Sequence, residues 1–101
     1  MAEINWTEEA ISNIDSIAAF IGLSSMKAAT GFVASAFQRV HQLQRFPRSG
    51  RMVPEVAADS LRELILDRRY RIVYRIDAED RVTIIAVHDG KIPLNPAILD
   101  T

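Results

Sequence analysis

The hydrophobic period of this chain changes once, close to its midpoint, and that change is the strongest constraint on the fold. Between residues 10 and 43 apolar side chains recur every three or four positions, which is the spacing of an amphipathic helix. From residue 63 onward they recur every second position, which is the spacing of a half-buried strand. Helices grouped before strands predict an α+β protein.

The N-terminal segment predicts a short strand followed by a helix. Residues 2–6 alternate apolar and polar side chains, and Thr7 is typical of an N-cap residue. The apolar stripe of the first helix covers residues 10–21, and Gly22 is a natural stop.

A second helix follows after a few residues. Ser24 or Ser25 can cap it, and its apolar stripe covers residues 29–43. Two helices with so short a connection predict an antiparallel hairpin. Gly31 lies inside the second helix, where glycine is unfavourable, and close approach of the two helices is one explanation for it.

The second half predicts a loop and three strands. Residues 46–50 end the helix, and residues 51–59 are interpreted as a loop. The alternation places Arg71 and Arg75 on one face of the middle strand. It places Tyr70, Ile72 and Tyr74 on the other face. In the last strand Val82, Ile84 and Ala86 alternate with Thr83, Ile85 and Val87. The strands cover residues 63–67, 70–76 and 82–87, joined by turns at 67–69 and 77–80, and residues 97–99 could form a last helical turn.

The predicted order is β-α-α-β-β-β, with the helical hairpin packed on one face of an antiparallel sheet. The length of 101 residues predicts one domain, residues 1–101. Cysteine is absent, no signal peptide is visible and no apolar run could span a membrane, so we expect a cytoplasmic protein without membrane contact. The two histidines lie 47 positions apart, and we expect neither a metal nor a cofactor.

The net charge of −1 conceals a strongly basic middle. Residues 39–75 carry a net charge of +5, whereas the segments before and after each carry −3. Ten of the twelve basic residues are arginines. Since the guanidinium group is a planar fork that fits carboxylates and phosphates, this pattern favours an anionic partner. The alternative is a solvated surface on which the arginines form ion pairs within the chain.

Five motifs in this order resemble the ParE branch of the ParE/RelE toxin superfamily. They are WTEEA at residues 6–10, FPRSGR at 46–51, LREL at 61–64, YRIVYRI at 70–76 and AVHDGK at 86–91. The resemblance covers nearly the whole chain and implies the RelE/ParE-like fold. It also implies the toxin of a bacterial type II toxin–antitoxin pair, held in a hetero-oligomer by a ParD-like antitoxin. ParE-like members are described as poisoning DNA gyrase, and RelE-like members as cleaving messenger RNA in the ribosome.

A metal-free ribonuclease needs a base, a cation near the phosphate and an acid. The set is incomplete beside RelE-like nucleases, because the loop after the second helix is poor in lysine and residues 95–101 lack tyrosine and histidine. We therefore interpret the chain as a binding toxin rather than an enzyme, and keep RNA cleavage and a degenerate, non-toxic member as alternatives. The nuclease candidates are Glu55 or Glu63, Arg62, Arg75 and His88, with Lys91 nearby.

In the binding interpretation the basic side chains meet acidic groups of an antitoxin or a target. Glu63 then pairs with an arginine of the next strand, and His88 is a structural residue at a strand end. We expect a long antitoxin interface along the helical hairpin and the sheet edge rather than a pocket. The predicted partner-binding residues are Arg51, Arg62, Arg71, Arg75 and Lys91.

Overall fold

Two helices and five strands make up the computed structural model, which describes residues 1–92 and residue 94. The elements are β1 (Ile4–Trp6), α1 (Glu8–Gly22), α2 (Met26–His41), a 3₁₀ turn (Gln42–Gln44), β2 (Arg51–Met52), β3 (Leu61–Leu66), β4 (Tyr70–Ile76) and β5 (Val82–Asp89). The strands form one sheet in the order β1-β5-β4-β3-β2, and α1 and α2 pack against one of its faces. The helical turn predicted for residues 97–99 lies outside the described residues.

The predicted α+β fold with a helical hairpin on a sheet is confirmed, and two features of the sheet differ. The sheet is mixed rather than antiparallel, because β1 runs parallel to β5 with Ile4 opposite Val82. Residues 51–52, inside the predicted loop, form β2, which pairs with β3. A strand of two residues is too short to show an alternating pattern in the sequence. The direction of β1 relative to β5 is set by the path of the chain through the helical hairpin, which the local pattern does not show.

Side-chain caps begin both helices where the sequence predicts them. The Thr7 hydroxyl accepts a hydrogen bond from the Ala10 amide at 3.1 Å and donates to the Ile84 carbonyl at 2.9 Å. The Ser25 hydroxyl accepts from the Ala28 amide at 3.0 Å. The Thr7 side chain therefore begins α1 and also ties the start of that helix to β5.

Gly31 is not explained by close helix packing, and that interpretation is wrong. The residue is exposed, and a Cβ atom built on it would meet no atom within 4 Å. Close approach would need Gly31 on the buried stripe of α2, which runs instead through Ala29, Phe32 and Ala36.

Apolar side chains cover both faces of the sheet. The larger cluster lies under the helices and includes Tyr70, Ile72 and Tyr74, which confirms the alternation predicted for β4. A smaller cluster lies on the opposite face, where segments outside the helices supply part of the cover. It contains Val53, Leu61, Val73, Ile85, Ala86 and Leu94.

The regular alternation predicted for β5 is wrong beyond Ile85. The register between β4 and β5 shifts there, because Tyr74 lies opposite Ile84 whereas Val73 lies opposite Ala86. Ile85 is thus an extra residue, a β-bulge that turns every later side chain to the other face. As a result Ala86 joins the smaller cluster and Val87 joins the core under the helices.

Within residues 1–92 and 94, neither helix is long and apolar enough to cross a bilayer.

Candidate functional site

The loop at residues 47–50 is held by a tyrosine hydroxyl from the middle of the sheet. The Tyr74 side chain is fully buried. Its hydroxyl donates a hydrogen bond to the Pro47 carbonyl and accepts one from the Gly50 amide, both at 2.9 Å. Burial raises the pKa of the Tyr74 hydroxyl, so the group stays protonated and keeps its donor. The loop is therefore fastened to β4 through one side chain.

Arg62 holds the same loop from β3, where it lies opposite Tyr74. Its Nη1 donates to the Gly50 carbonyl at 3.0 Å, and its Nε donates to the Asp59 carbonyl at 3.1 Å. Its Nη2 forms an ion pair with the Asp59 carboxylate, and only 16% of the side chain is exposed. The guanidinium group of Arg62 is thus engaged with two loops of its own chain.

Only glycine fits at position 50. A Cβ atom there would lie 2.6 Å from the Glu63 carbonyl oxygen and 2.8 Å from Cε1 of Tyr74. The FPRSGR, LREL and YRIVYRI motifs consequently meet in space: the first supplies Gly50, the second the Glu63 carbonyl and the third the Tyr74 ring. Their joint presence in the sequence marks a structural unit.

A chain of four charged side chains crosses the sheet face opposite the helices. Glu63 is fully buried; it accepts hydrogen bonds from Nε of Arg71 and Nε of Arg51, each at 2.6 Å. The two terminal nitrogens of Arg71 reach the two carboxylate oxygens of Glu55, both at 2.7 Å. The Leu94 amide donates to Glu55 at 3.1 Å. Arg71 is therefore neutralised on two sides within the chain.

The contacts of Glu55 set its protonation state. Its hydrogen bonds with the Arg71 guanidinium, and after these the one from the Leu94 amide, lower the pKa of the Glu55 carboxyl from 4.5 to about 2. A carboxylate with so low a pKa is a weak base at neutral pH. The geometry makes Glu55 an anchor for Arg71 rather than an acceptor for a substrate proton.

A basic groove of about 530 Å³ lies over this ion network. Arg51, Arg68, Arg69 and Lys91 are the solvent-exposed cations that line it, beside Glu55 and Arg71. Arg51 is 60% exposed although its Nε holds Glu63. Arg69 contacts Asp89 at 3.3 Å and lies over the Tyr70 ring. We refer to this site as the basic groove.

His88 and Arg75 lie outside the lining of the basic groove. His88 pairs with Arg71 across β4 and β5, and its Nδ1 lies 3.0 Å from the Asp89 carbonyl oxygen. Its Nε2 is buried and has no hydrogen-bond partner among the described residues. Arg75 is half-buried at the other end of β4, opposite Leu61 and Thr83.

The structure thus brings Arg51, Glu55, Arg71 and Lys91 to one groove and leaves Arg62, Arg75 and His88 elsewhere. Sequence reasoning missed Arg68 and Arg69 as groove residues, because it assigned them only to the turn between β3 and β4. Their position just before Arg71 was the available signal. Over the described ranges, no cluster of three His, Asp or Glu side chains could hold a metal ion.

The family model for the ParE toxin of the type II toxin–antitoxin system parDE matches residues 4–92. That match includes all five strands, both helices and the basic groove. The chain belongs to the ParE toxin family. A chain from the chromosomal ParDE TA system from P. aeruginosa has a similar fold, with a TM-score of 0.71 over 88% of this chain and 96% of that one. The two sequences are 22% identical. No curated protein sequence matches the chain.

Membership of the ParE family identifies the chain as a toxin of the type II toxin–antitoxin class. Three of the five motifs that carried the resemblance fasten the 47–50 loop to the sheet. Those three motifs therefore report on the fold, and the function has to be argued from the site.

Proposed function

We propose that this ParE-family toxin inhibits DNA gyrase by protein contact in the cytoplasm, and that a cognate ParD-like antitoxin neutralises it within a hetero-oligomer. The observation that carries the proposal is the engagement of the central arginines. Arg71 is bound by Glu55 and Glu63, and Arg62 is bound to backbone carbonyls and Asp59. Neither arginine presents an unpaired guanidinium group to a scissile phosphate, which favours binding over phosphodiester chemistry.

The position of His88 supports the same choice. A general acid must reach the leaving oxygen of its substrate. Nδ1 of His88 lies against the Asp89 carbonyl, and the buried Nε2 is outside the basic groove. The candidate base Glu55 is held as a weakly basic carboxylate. We therefore propose that the chain is not an enzyme.

The test is a supercoiling assay with purified gyrase, relaxed plasmid and increasing amounts of the full-length toxin. We expect loss of supercoiled product or accumulation of linear DNA trapped on the enzyme. Relaxation by an unrelated type I topoisomerase serves as the control and should not change. Normal supercoiling at high excess of folded toxin would contradict the gyrase proposal.

The exposed cations of the basic groove favour a second candidate, ribosome-dependent cleavage of messenger RNA. Primer extension on transcripts in translating ribosomes distinguishes the two candidates. Cuts that vanish in His88→Ala and Arg75→Ala would establish the nuclease. Intact transcripts in cells that the toxin kills would exclude the nuclease. Harmless expression without an antitoxin would indicate a degenerate member.

The antitoxin surface that we propose lies at the tip of the helical hairpin. Three large apolar side chains are exposed there: Phe20 by 67%, Leu23 by 84% and Met26 by 73%. Exposed apolar clusters of this kind mark docking sites for amphipathic helices. Leu23→Asp should abolish co-purification with the protein encoded by the adjacent gene, whereas Phe46→Ser, which changes an exposed phenylalanine elsewhere, should not. If both variants still co-purify with that protein to the same extent, the antitoxin interface does not lie at the tip of the hairpin.

A further inference from the structure

The basic groove carries more positive charge than its own carboxylates can neutralise. Glu55 and Glu63 are the carboxylates of the ion network, and their four oxygen atoms are bound by Arg51, Arg71 and the Leu94 amide. Beyond this network, Arg68 and the Lys91 ammonium group form no hydrogen bond or ion pair among the described residues. Asp89 pairs with Arg69 at 3.3 Å and also attracts Lys91 electrostatically. Because the five cations of the groove still outnumber these three carboxylates, its exposed side keeps a net positive charge that an external anion could neutralise.

The backbone conformation of Arg68 also supports an external partner for the groove. Its φ is 58°, in the left-handed region that costs a residue with a Cβ atom about 1 kcal/mol or more. Glycine or asparagine would fit this turn with less strain. The Arg68 side chain forms no hydrogen bond or ion pair among the described residues, so no polar contact there offsets the strain, and its guanidinium group is open to an external anion.

The chemistry of the groove selects a class of anion. Arginine forks bind phosphates in a bidentate manner, and three of the four exposed cations are arginines. Among the described residues no aromatic side chain lines the groove, so they offer no platform on which an unpaired base could stack. Pro54 and Ile65 are the large apolar residues of that described lining, which leaves little to anchor the side chains of an acidic peptide.

We propose that the basic groove binds the phosphate backbone of double-stranded DNA without reading its sequence. In the complex of toxin, gyrase and DNA, the basic groove would contact the DNA that gyrase holds. This part of the inference rests on the proposed function. Arg68, Arg69, Lys91 and the exposed part of Arg51 supply the contacts, and the buried ion network keeps the floor of the groove rigid. Because these cations contact phosphates and not bases, the toxin should bind a DNA duplex of any sequence with similar affinity.

The test measures fluorescence anisotropy of a labelled 20-base-pair duplex titrated with the full-length toxin alone. Arg51 is already paired with Glu63, so Arg68, Arg69 and Lys91 are counted as neutralising one phosphate each, and the logarithm of affinity should fall by about 2.7 per tenfold rise in salt. Between 50 and 200 mM KCl this amounts to a loss of roughly 40-fold. A second duplex of unrelated sequence should bind equally well.

Variants separate binding from folding. Arg68→Gly should leave the melting temperature equal or higher, because it relieves the left-handed strain, while it lowers the salt slope by about 0.9. Lys91→Ala should lower the slope by a similar amount. Arg45→Ala is the matched control, because Arg45 is also exposed and unpaired in the described structure but lies outside the groove. Its affinity and slope should equal those of the wild type.

Four results would overturn the inference. The first two are no binding at 50 mM KCl and a loss of affinity in Arg45→Ala as large as that in Arg68→Gly. The other two are displacement of the duplex by poly-glutamate at a lower charge concentration than by unlabelled DNA, and tighter binding of single-stranded RNA than of the duplex. The anisotropy assay contains no gyrase, so the two proposals can fail separately. If the toxin inhibits supercoiling but does not bind the duplex, only the DNA-binding proposal is wrong. DNA binding without inhibition would remove only the gyrase proposal.

Discussion

Glu55 and Arg71 form a bidentate ion pair on the sheet face that the helices leave open, with both nitrogen–oxygen distances at 2.7 Å. Glu55 lies in the connection between β2 and β3, and Arg71 lies in β4. The pair therefore fastens a connection to the sheet, and it has a measurable dependence on pH.

Acid should weaken this pair. The folded-state pKa of Glu55 is about 2, below its ordinary value of 4.5, so the pair contributes full stability above pH 4.5. That contribution is lost as pH falls from about 4.5 to about 2. We expect Glu55→Gln to reduce the decline in the free energy of unfolding between pH 5 and pH 2.5, measured by urea denaturation.

Glu8→Gln is the control for that experiment, because Glu8 is exposed and has no side-chain partner in the described structure. Its decline in stability with acid should match the wild type. An unchanged decline in Glu55→Gln would mean that the ion pair contributes nothing to folding.

Arg71→Ala should destabilise the protein by about 3–5 kcal/mol, because it leaves the buried Glu63 carboxylate with Arg51 as its only charged partner. The double variant Glu63→Met/Arg71→Met removes the buried charge together with its partner and should recover most of that loss. Urea unfolding of the wild type and both variants measures the effect. A double variant as unstable as Arg71→Ala would show that the packing of Arg71, rather than its charge, is what matters.

Tyr74→Phe should cost about 1–3 kcal/mol, since the Gly50 amide and the Pro47 carbonyl lose a buried partner. Tyr70→Phe is the matched control, because the Tyr70 hydroxyl has no hydrogen bond within the described residues. Thermal unfolding of both variants would measure the difference. Equal stability of the two would contradict the role of Tyr74 in holding the 47–50 loop.

Two glycines should respond to alanine in opposite directions. Gly31→Ala should stabilise the protein by up to about 1 kcal/mol, because the position is exposed, helical and open around the added methyl group. Gly50→Ala should destabilise it by roughly 1–3 kcal/mol, since the methyl group would overlap the Glu63 carbonyl and the Tyr74 ring. Chemical denaturation compares the two, and a loss of stability in Gly31→Ala would point to an unseen packing role.

The sequence by itself determined the helices, the three long strands and the faces of β4. These elements have regular periods and recognisable caps, as at Thr7 and Ser25, and burial of one face enforces such patterns locally. It also indicated the ParE resemblance, through motifs that form contacts with one another. It did not reveal β2, which is too short to show a period, or the bulge at Ile85, which is visible only against the partner strand.

Only the tertiary structure decided what the arginines do. In the sequence Arg62, Arg68 and Arg71 are equivalent cations within ten residues. In the fold Arg62 binds loop carbonyls, Arg71 is neutralised by Glu55 and Glu63, and Arg68 has no partner in the described residues. The physical reason is that the state of a charge depends on the groups within a few ångströms of it. Those groups come from segments distant in sequence, and the pairing of strands brings them together.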